Sequence, residues 1–167
     1  MISARLSDVW PWIDRKKVLL TTFIETHHVE ILAGWDNFAA KLFGESSKTN
    51  HFLLRDHAAE ILRELVVDMR EKESTQQQRE KSMRALLPPH LIETAADVHG
   101  TLRHNAGLSM SFLFAEFRAL RASVIALWLP KIASIGDEHF AQMLRFNEAI
   151  DDALADSIAT FELSKAA

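Results

Sequence analysis

The sequence predicts an all-α fold, and three observations support this prediction. Apolar residues recur at spacings of three and four rather than alternating, which is the pattern of amphipathic helices. The strong helix formers alanine, leucine, glutamate, arginine and glutamine dominate the segments between breaks. Only five glycines and four prolines punctuate the 167 residues, and most stand where the helical patterns end. We therefore expect a single-domain bundle of five to six helices, without strands, that ends in a long C-terminal helix.

The first two long helices are predicted over 23–43 and 51–72. They follow an N-terminal segment, residues 1–19, for which a short helix near 7–17 is predicted; residues 20–167 form the helical domain. Each long helix carries a single apolar stripe, so one face of each is expected to pack into a shared core. The stripe of the first comprises Ile24, His28, Ile31, Trp35, Phe38 and Leu42, and that of the second Leu54, Ala58, Ile61, Leu65 and Met69.

The third helix is predicted over 91–106. Pro88 and Pro89 precede it and separate it from the second helix, because neither residue can donate a helical hydrogen bond. His99 and Arg103 lie one turn apart along the edge of its apolar stripe. Both side chains are therefore within reach of an interior pocket.

The fourth helix, predicted over 108–129, is the most apolar stretch of the chain and has the length of a bilayer span. It nevertheless contains Glu116, Arg118 and Arg121, each of which is costly at membrane depth. We therefore expect a buried core helix rather than a membrane helix.

The fifth helix, predicted over 137–163, shows a heptad spacing. Phe140, Asn147, Leu154 and Phe161 recur every seven residues, with Met143 and Ile150 between them. This spacing is typical of a coiled-coil seam, in which a single asparagine can fix the register of two paired helices. Asp151 lies one turn after Asn147 on the same face. An ordinary amphipathic core helix, with Asn147 hydrogen-bonded inside one subunit, explains the same spacing.

A homodimer is expected if the heptad positions pair two copies of the chain. Exposed aromatic residues also favour contact with a partner. The Trp-Pro-Trp motif near the start of the chain is therefore a second candidate dimer contact. The candidate dimer contacts are Trp10, Trp12, Phe140, Asn147, Leu154 and Phe161.

Composition excludes several classes of partner and cofactor. With 19 lysines and arginines against 23 acidic residues, the net charge of −4 offers no basic surface for a nucleic acid. The absence of cysteine excludes disulfides, thiolate zinc sites and iron–sulfur clusters. The sequence contains no secretory signal, nucleotide-binding loop or serine-nucleophile motif. Its one Glu-x-x-His motif, from Glu25 to His28, lacks the second copy that a dimetal bundle needs. We expect no metal, membrane or nucleic-acid partner and no catalytic residues.

Polar residues within the apolar helices are the candidates for function. Because unpaired buried charges are costly, these residues are expected to face one another, either as a structural network or as a signal-sensing pocket. Two other hypotheses are a haem with His99 or His57 as axial ligand, and an enzyme with Glu116 and His99 as an acid–base pair. The candidates are His57, His99, Arg103, Glu116, Arg118, Arg121, Asn147 and Asp151.

Five segments and a closing motif follow one another in order between residues 20 and 161. They read Phe23-Ile24 with Glu30-Ile31-Leu32-Ala33-x-Trp35, Leu54-Arg55-Asp56-His57-Ala58-x-Glu60-Ile61-Leu62, Lys81-Ser82, His99-Gly100-x-Leu102-Arg103, Glu116-Phe117-Arg118-Ala119-Leu120-Arg121-Ala122-Ser123-Val124 and Phe146-Asn147-Glu148-Ala149-Ile150-Asp151. In this order and spacing the sequence resembles the RsbRD N-terminal domain family, sensory modules of bacterial sensor histidine kinases and of RsbR-type stressosome proteins. Phe117 stands where a tyrosine is usual in that family.

The resemblance implies an all-helical, cytoplasmic input domain without catalytic residues. Such a domain senses a signal and passes it through its C-terminal helix to an output kinase or regulatory protein, usually as a dimer. Because the related RsbR sensor domains are globin-like without haem, a globin-like arrangement of the helices is expected. The chain is then either part of a longer kinase or a free-standing sensor that acts through a partner.

Overall fold

Five α-helices make up most of the described part of the chain. The computed structural model describes residues 18–43, 51–71, 76, 79, 83, 93–132 and 134–166, and these contain no strand. A short 3₁₀ helix, Leu129–Lys131, follows the fourth α-helix. The α-helices are α1 (Leu20–Phe43), α2 (His51–Arg70), α3 (Ala95–Asn105), α4 (Met110–Trp128) and α5 (Asp137–Ala166). The all-helical prediction is confirmed, and each helix begins and ends within about one turn of its predicted bounds. The short helix predicted near 7–17 lies outside the described residues.

Helix α1 contains a kink that changes which residues face the core. Its backbone leaves the helical region at His27 (φ −121°, ψ 17°). The side chains around the kink bond carbonyls of the preceding turn: Thr26 Oγ1 donates to Thr22 O (2.8 Å), and His28 Nδ1 lies 2.8 Å from Glu25 O. The prediction that His28 belongs to the apolar stripe is therefore wrong, because the kink interrupts the helical spacing and leaves this residue exposed.

Helix α3 begins later than predicted because Thr94 and Asp97 form a capping box. Asp97 N–H donates to Thr94 Oγ1 (3.1 Å), and Thr94 N–H donates to Asp97 Oδ2 (2.8 Å). The Glu64 carboxylate of α2 also accepts the Ala95 N–H (3.1 Å), which places a negative charge at the positive end of the α3 dipole. These contacts fix α3 to α2.

The core lies where α1 packs against α2 and α4, and where α5 covers α2, α3 and α4. Trp128 ties the start of the described chain to this core, since its Nε1 donates to Val18 O (2.8 Å). Burying each large apolar side chain contributes roughly 1.5–3 kcal/mol. The largest fully buried apolar residues are Leu20, Phe23, Ile24, Ile31, Trp35, Leu62, Leu113, Trp128, Phe146, Ile150 and Phe161. No described helix combines the length and hydropathy needed to cross a bilayer.

Helices α3 and α5 cross at very short range. A Cβ added to Gly100 would lie 2.1 Å from Ser157 O, so any side chain at this position would collide with backbone. Hydroxyl groups join the two helices on either side of the glycine: Ser157 Oγ donates to Ala96 O (2.6 Å), and Thr160 Oγ1 donates to Asp97 O (2.9 Å). The short approach and the two hydroxyl hydrogen bonds therefore join α3 closely to α5.

The heptad positions of α5 do not form one exposed seam. Ile150 and Phe161 are buried in the core of their own chain, whereas Phe140 is 52% exposed. Asn147 is half-buried, and its Nδ2 donates to Met143 O (2.8 Å) in the same helix. Phe161 cannot contact a second copy without leaving the core, so its prediction as a dimer contact is wrong.

Candidate functional site

Three of the predicted polar residues meet in the core between α3 and α4. Glu116 Oε2 accepts a hydrogen bond from Arg103 Nε (2.7 Å) and lies 3.2 Å from His99 Nε2. His99 is 2% exposed, Glu116 1% and Arg103 0%. His99 and Arg103 are four residues apart on α3, so both side chains can reach the same carboxylate. We call these three residues the buried triad.

The charges of the triad follow from its surroundings. Burial lowers the pKa of His99 below 6.5, and the Arg103 charge lowers it further, while the hydrogen bond to Glu116 opposes both effects. Burial alone would raise the pKa of Glu116, but the hydrogen bonds from His99 and Arg103 and the Arg103 charge lower it below 4.5. Glu116 is therefore an ionised partner of Arg103. Because a carboxylate only accepts hydrogen bonds, neutral His99 carries its proton on Nε2.

Each residue of the triad also keeps one unpartnered polar atom. His99 Nδ1, Arg103 Nη2 and Glu116 Oε1 are buried, and none bonds to another described residue. Each buried atom without a partner costs about 1–3 kcal/mol. A small space beside His99 and Glu116, with room for one water-sized molecule, is walled by the apolar side chains of Trp35, Ala58, Ile61, Phe117 and Leu120.

His57 lies at the edge of this cluster. It is half-buried on α2, and it is near enough that its positive charge would lower the pKa of His99. The structure therefore brings four of the eight predicted residues to one region.

The other four predicted residues lie towards the surface of α4 and α5. Arg121 Nη2 donates to Asp151 Oδ1, and these side chains are 34% and 62% exposed. Arg118 is exposed as well, and Asn147 bonds within α5. The prediction of one shared polar interior is wrong for Arg118 and Asp151. Arg118 follows Glu116 by two residues, which turns its side chain about 200° around the helix.

Sequence reasoning did not identify Ser157, which is fully buried and bonded to α3. Its neighbour in space is Gly100, 57 positions earlier in the chain. A serine in an otherwise apolar helix face was the available signal, since buried hydroxyls need a partner.

The triad does not fit a haem. Haem iron would need a large pocket beside its axial imidazole, but the space beside His99 is water-sized. The same small space leaves no room for a substrate beside the His99–Glu116 pair. The described residues contain no group of three histidine or acidic side chains placed to hold a metal ion.

Neither a protein-family model, nor a curated protein, nor a solved structure matches this chain.

Proposed function

We propose that the chain is a non-catalytic sensory input domain of a bacterial two-component or stressosome-like system. In this proposal it acts in the cytoplasm and passes its signal through α5 to an output kinase or regulatory protein. The buried triad is the observation that carries the proposal. The sequence resemblance to RsbRD N-terminal domains supports it, and with it a globin-like arrangement of the helices without haem.

A contribution to stability does not account for the triad. Desolvation of buried charges offsets much of their attraction, and apolar residues of similar volume often stabilise a core as well or better. The triad also leaves three buried atoms without partners among the described residues. When such a cluster gains or loses one hydrogen-bonding partner, the relative free energy of its alternative arrangements changes. This property suits an element that switches between two states.

The position of the triad supports transmission to α5. His99 and Arg103 belong to α3, which is joined to α5 through Ser157 and Thr160. A change in the triad that moves α3 relative to α4 therefore also moves α5. Because Gly100 brings the two backbones into contact, little of this displacement can be absorbed between the helices.

The proposal includes a homodimer formed through the N-terminal half of α5. Phe140 and Leu144 are 52% and 49% exposed, lie one turn apart and share a face with Asn147. Exposed apolar residues at this spacing are typical of a surface that packs against a second helix. Leu154, further along α5, is half-buried. Trp10 and Trp12 stay predicted contacts and lie outside the described residues.

Glu116→Gln tests whether the triad controls α5. The substitution keeps the shape of the side chain and removes its charge, so we expect faster amide hydrogen exchange at 153–161 of α5. We also expect a change of about fivefold or more in the dimer dissociation constant, measured by analytical ultracentrifugation.

Leu113→Ala is the matched control, because Leu113 is a fully buried α4 residue outside the triad. It should lower the free energy of unfolding without selectively altering α5 or the dimer. If Glu116→Gln produces the same uniform effect as Leu113→Ala, the triad is a structural element and the sensory proposal is wrong.

A further inference from the structure

A surface cleft between α4 and α5 contains the two arginines that the triad does not use. Its volume is about 350 Å³, within the range of small-molecule sites, roughly 300–1,000 Å³. Arg118 and Arg121 contribute guanidinium groups from successive turns of α4, and Asp151 contributes a carboxylate from α5. The cleft is separate from the triad, which lies in the core.

The cleft has unused capacity to bind an anion. Arg121 pairs with Asp151 through Nη2, but its Nε is buried and bonds to none of the described residues. Arg118 is exposed and makes no hydrogen bond or ion pair with any described residue. Two guanidinium groups against one carboxylate leave a net positive charge and several N–H donors, which suit a carboxylate or phosphate group.

The rest of the lining is apolar and aromatic. Phe114 is 49% exposed, and Leu154 is half-buried beside it in the same cleft. An inorganic anion alone would leave these side chains uncovered. A ligand with an aromatic or apolar body would cover them and could also stack against a guanidinium plane.

We propose that this cleft binds a small organic anion, in which a carboxylate or phosphate group is attached to an aromatic or apolar body. The anionic group contacts the guanidinium groups of Arg118 and Arg121, and the body lies against Phe114 and Leu154. We further assign the cleft as the ligand site of the sensory domain. This assignment rests on the function proposed above.

Phe117 connects the cleft to the buried triad. It lines both the cleft and the small space beside His99 and Glu116. Its ring stands edge-on to the His99 imidazole, with the ring centroids 5.5 Å apart. A ligand that displaces Phe117 therefore also displaces His99.

The binding test is a titration of the ¹⁵N-labelled chain, followed by NMR, with benzoate, phenyl phosphate, inorganic phosphate and benzyl alcohol. We expect saturable shifts of the amides at 111–121 and of the Arg121 Nε–H with benzoate or phenyl phosphate. Inorganic phosphate and neutral benzyl alcohol should bind much more weakly. The ratio of the benzoate and phenyl phosphate affinities distinguishes a carboxylate from a phosphate ligand.

Variants locate the site. Arg118→Gln and Arg121→Gln should each weaken binding about tenfold, the usual effect of losing one charge-assisted hydrogen bond. Arg63→Gln, at an exposed arginine of α2 that pairs with Glu60, is the control and should bind as the wild type does. Absence of saturable binding by either organic anion, or unchanged binding by Arg118→Gln, would overturn the site. So would a change in molecular mass for Arg118→Gln in ultracentrifugation, because a second copy of the chain would then occupy the cleft.

The link to sensing has its own readout. Binding should shift the His99 imidazole resonances in the wild type, and Arg118→Gln should move the ligand concentration at which that shift appears by the same factor by which it weakens binding. Binding without any His99 shift would refute the role of the cleft in sensing and leave the anion site itself supported. The Glu116→Gln experiment does not involve the cleft, so failure of the sensory function can be told apart from failure of this site.

Discussion

The molecule contains two arginine–carboxylate pairs that share their chemistry and differ in their surroundings. Arg103 and Glu116 join α3 to α4 with both side chains 1% exposed, whereas Arg121 and Asp151 join α4 to α5 with 34% and 62% exposure. Bulk water screens the second pair, whereas the first lies in the core. The same type of contact therefore has opposite consequences: the buried pair is costly to disturb, and the exposed pair is free to exchange partners.

This difference suits two separate tasks. A pair in high dielectric contributes little stability, so Arg121 can turn from Asp151 to an incoming anion at small cost. A pair in the core responds strongly to any change in its hydrogen bonds, because each unmatched charge is desolvated. The sensory function proposed above uses the exposed pair to bind and the buried pair to respond.

The largest expected effect comes from breaking the buried pair. Arg103→Met leaves the Glu116 carboxylate in the core without its cation, and we expect a loss of about 3–5 kcal/mol in the free energy of unfolding. Urea denaturation followed by circular dichroism measures this loss. A loss below about 1 kcal/mol, as for a surface pair, would show that water reaches Glu116 and would remove the contrast between the two pairs.

A triple variant separates the cost of an unpaired buried charge from the contribution of the whole triad to the free energy of unfolding. His99→Leu, Arg103→Met and Glu116→Leu together remove all three polar groups and leave no unpaired charge. We expect the triple variant to be more stable than Arg103→Met alone and close to the wild type, within about 1–2 kcal/mol. A triple variant less stable than Arg103→Met would show that the triad itself stabilises the fold.

The next effect is a dependence of stability on pH. The pKa of His99 in the folded chain is lowered from 6.5, so below pH 6.5 the unfolded state binds more protons than the folded state. Stability therefore falls as the pH falls through 6.5, with a slope of at most about 1.4 kcal/mol per pH unit, and levels off below the folded pKa. Glu116, whose pKa is lowered from 4.5, adds a second loss below pH 4.5.

The variant His99→Gln isolates the contribution of this imidazole. Its neighbours, Arg103, Glu116 and His57, stay in place, so the difference in stability between wild type and variant should shrink as the pH falls from 7 to 5. His28→Gln, at an exposed histidine outside the triad, is the control variant. A pH-independent difference between wild type and His99→Gln would show that His99 has the same pKa in both states.

The sequence predicted the helices well because their signals are local. Apolar spacing, prolines and glycines act within a few residues, and they defined all five helices among the described residues. His99 and Arg103 could be placed together for the same reason, since they lie one turn apart. Their meeting with Glu116 was predicted as a need for a partner, but its geometry depends on how α3 crosses α4.

Long-range packing explains what the sequence did not show. Residues of the heptad pattern face inward or outward according to how α5 lies on α2, α3 and α4, which the spacing along one helix does not determine. Asp151 shares a sequence stripe with half-buried Asn147 and is itself exposed, while Ser157 meets Gly100 only through the α3–α5 crossing. The kink at His27 likewise shifted one predicted core position to the surface.

The smallest effect is expected at the exposed pair. A double-mutant cycle of Arg121→Gln and Asp151→Asn should give a coupling energy of about 0.2–1 kcal/mol, because solvent screens the charges and both side chains lose entropy when they pair. The coupling should decrease further in 1 M salt, where the Debye length is about 3 Å. The effect of Arg103→Met should change much less with salt, since ions do not enter the core. A salt-insensitive coupling above about 2 kcal/mol at Arg121 and Asp151 would mean that this pair is desolvated, and Arg121 could not then exchange Asp151 for a bound anion at low cost.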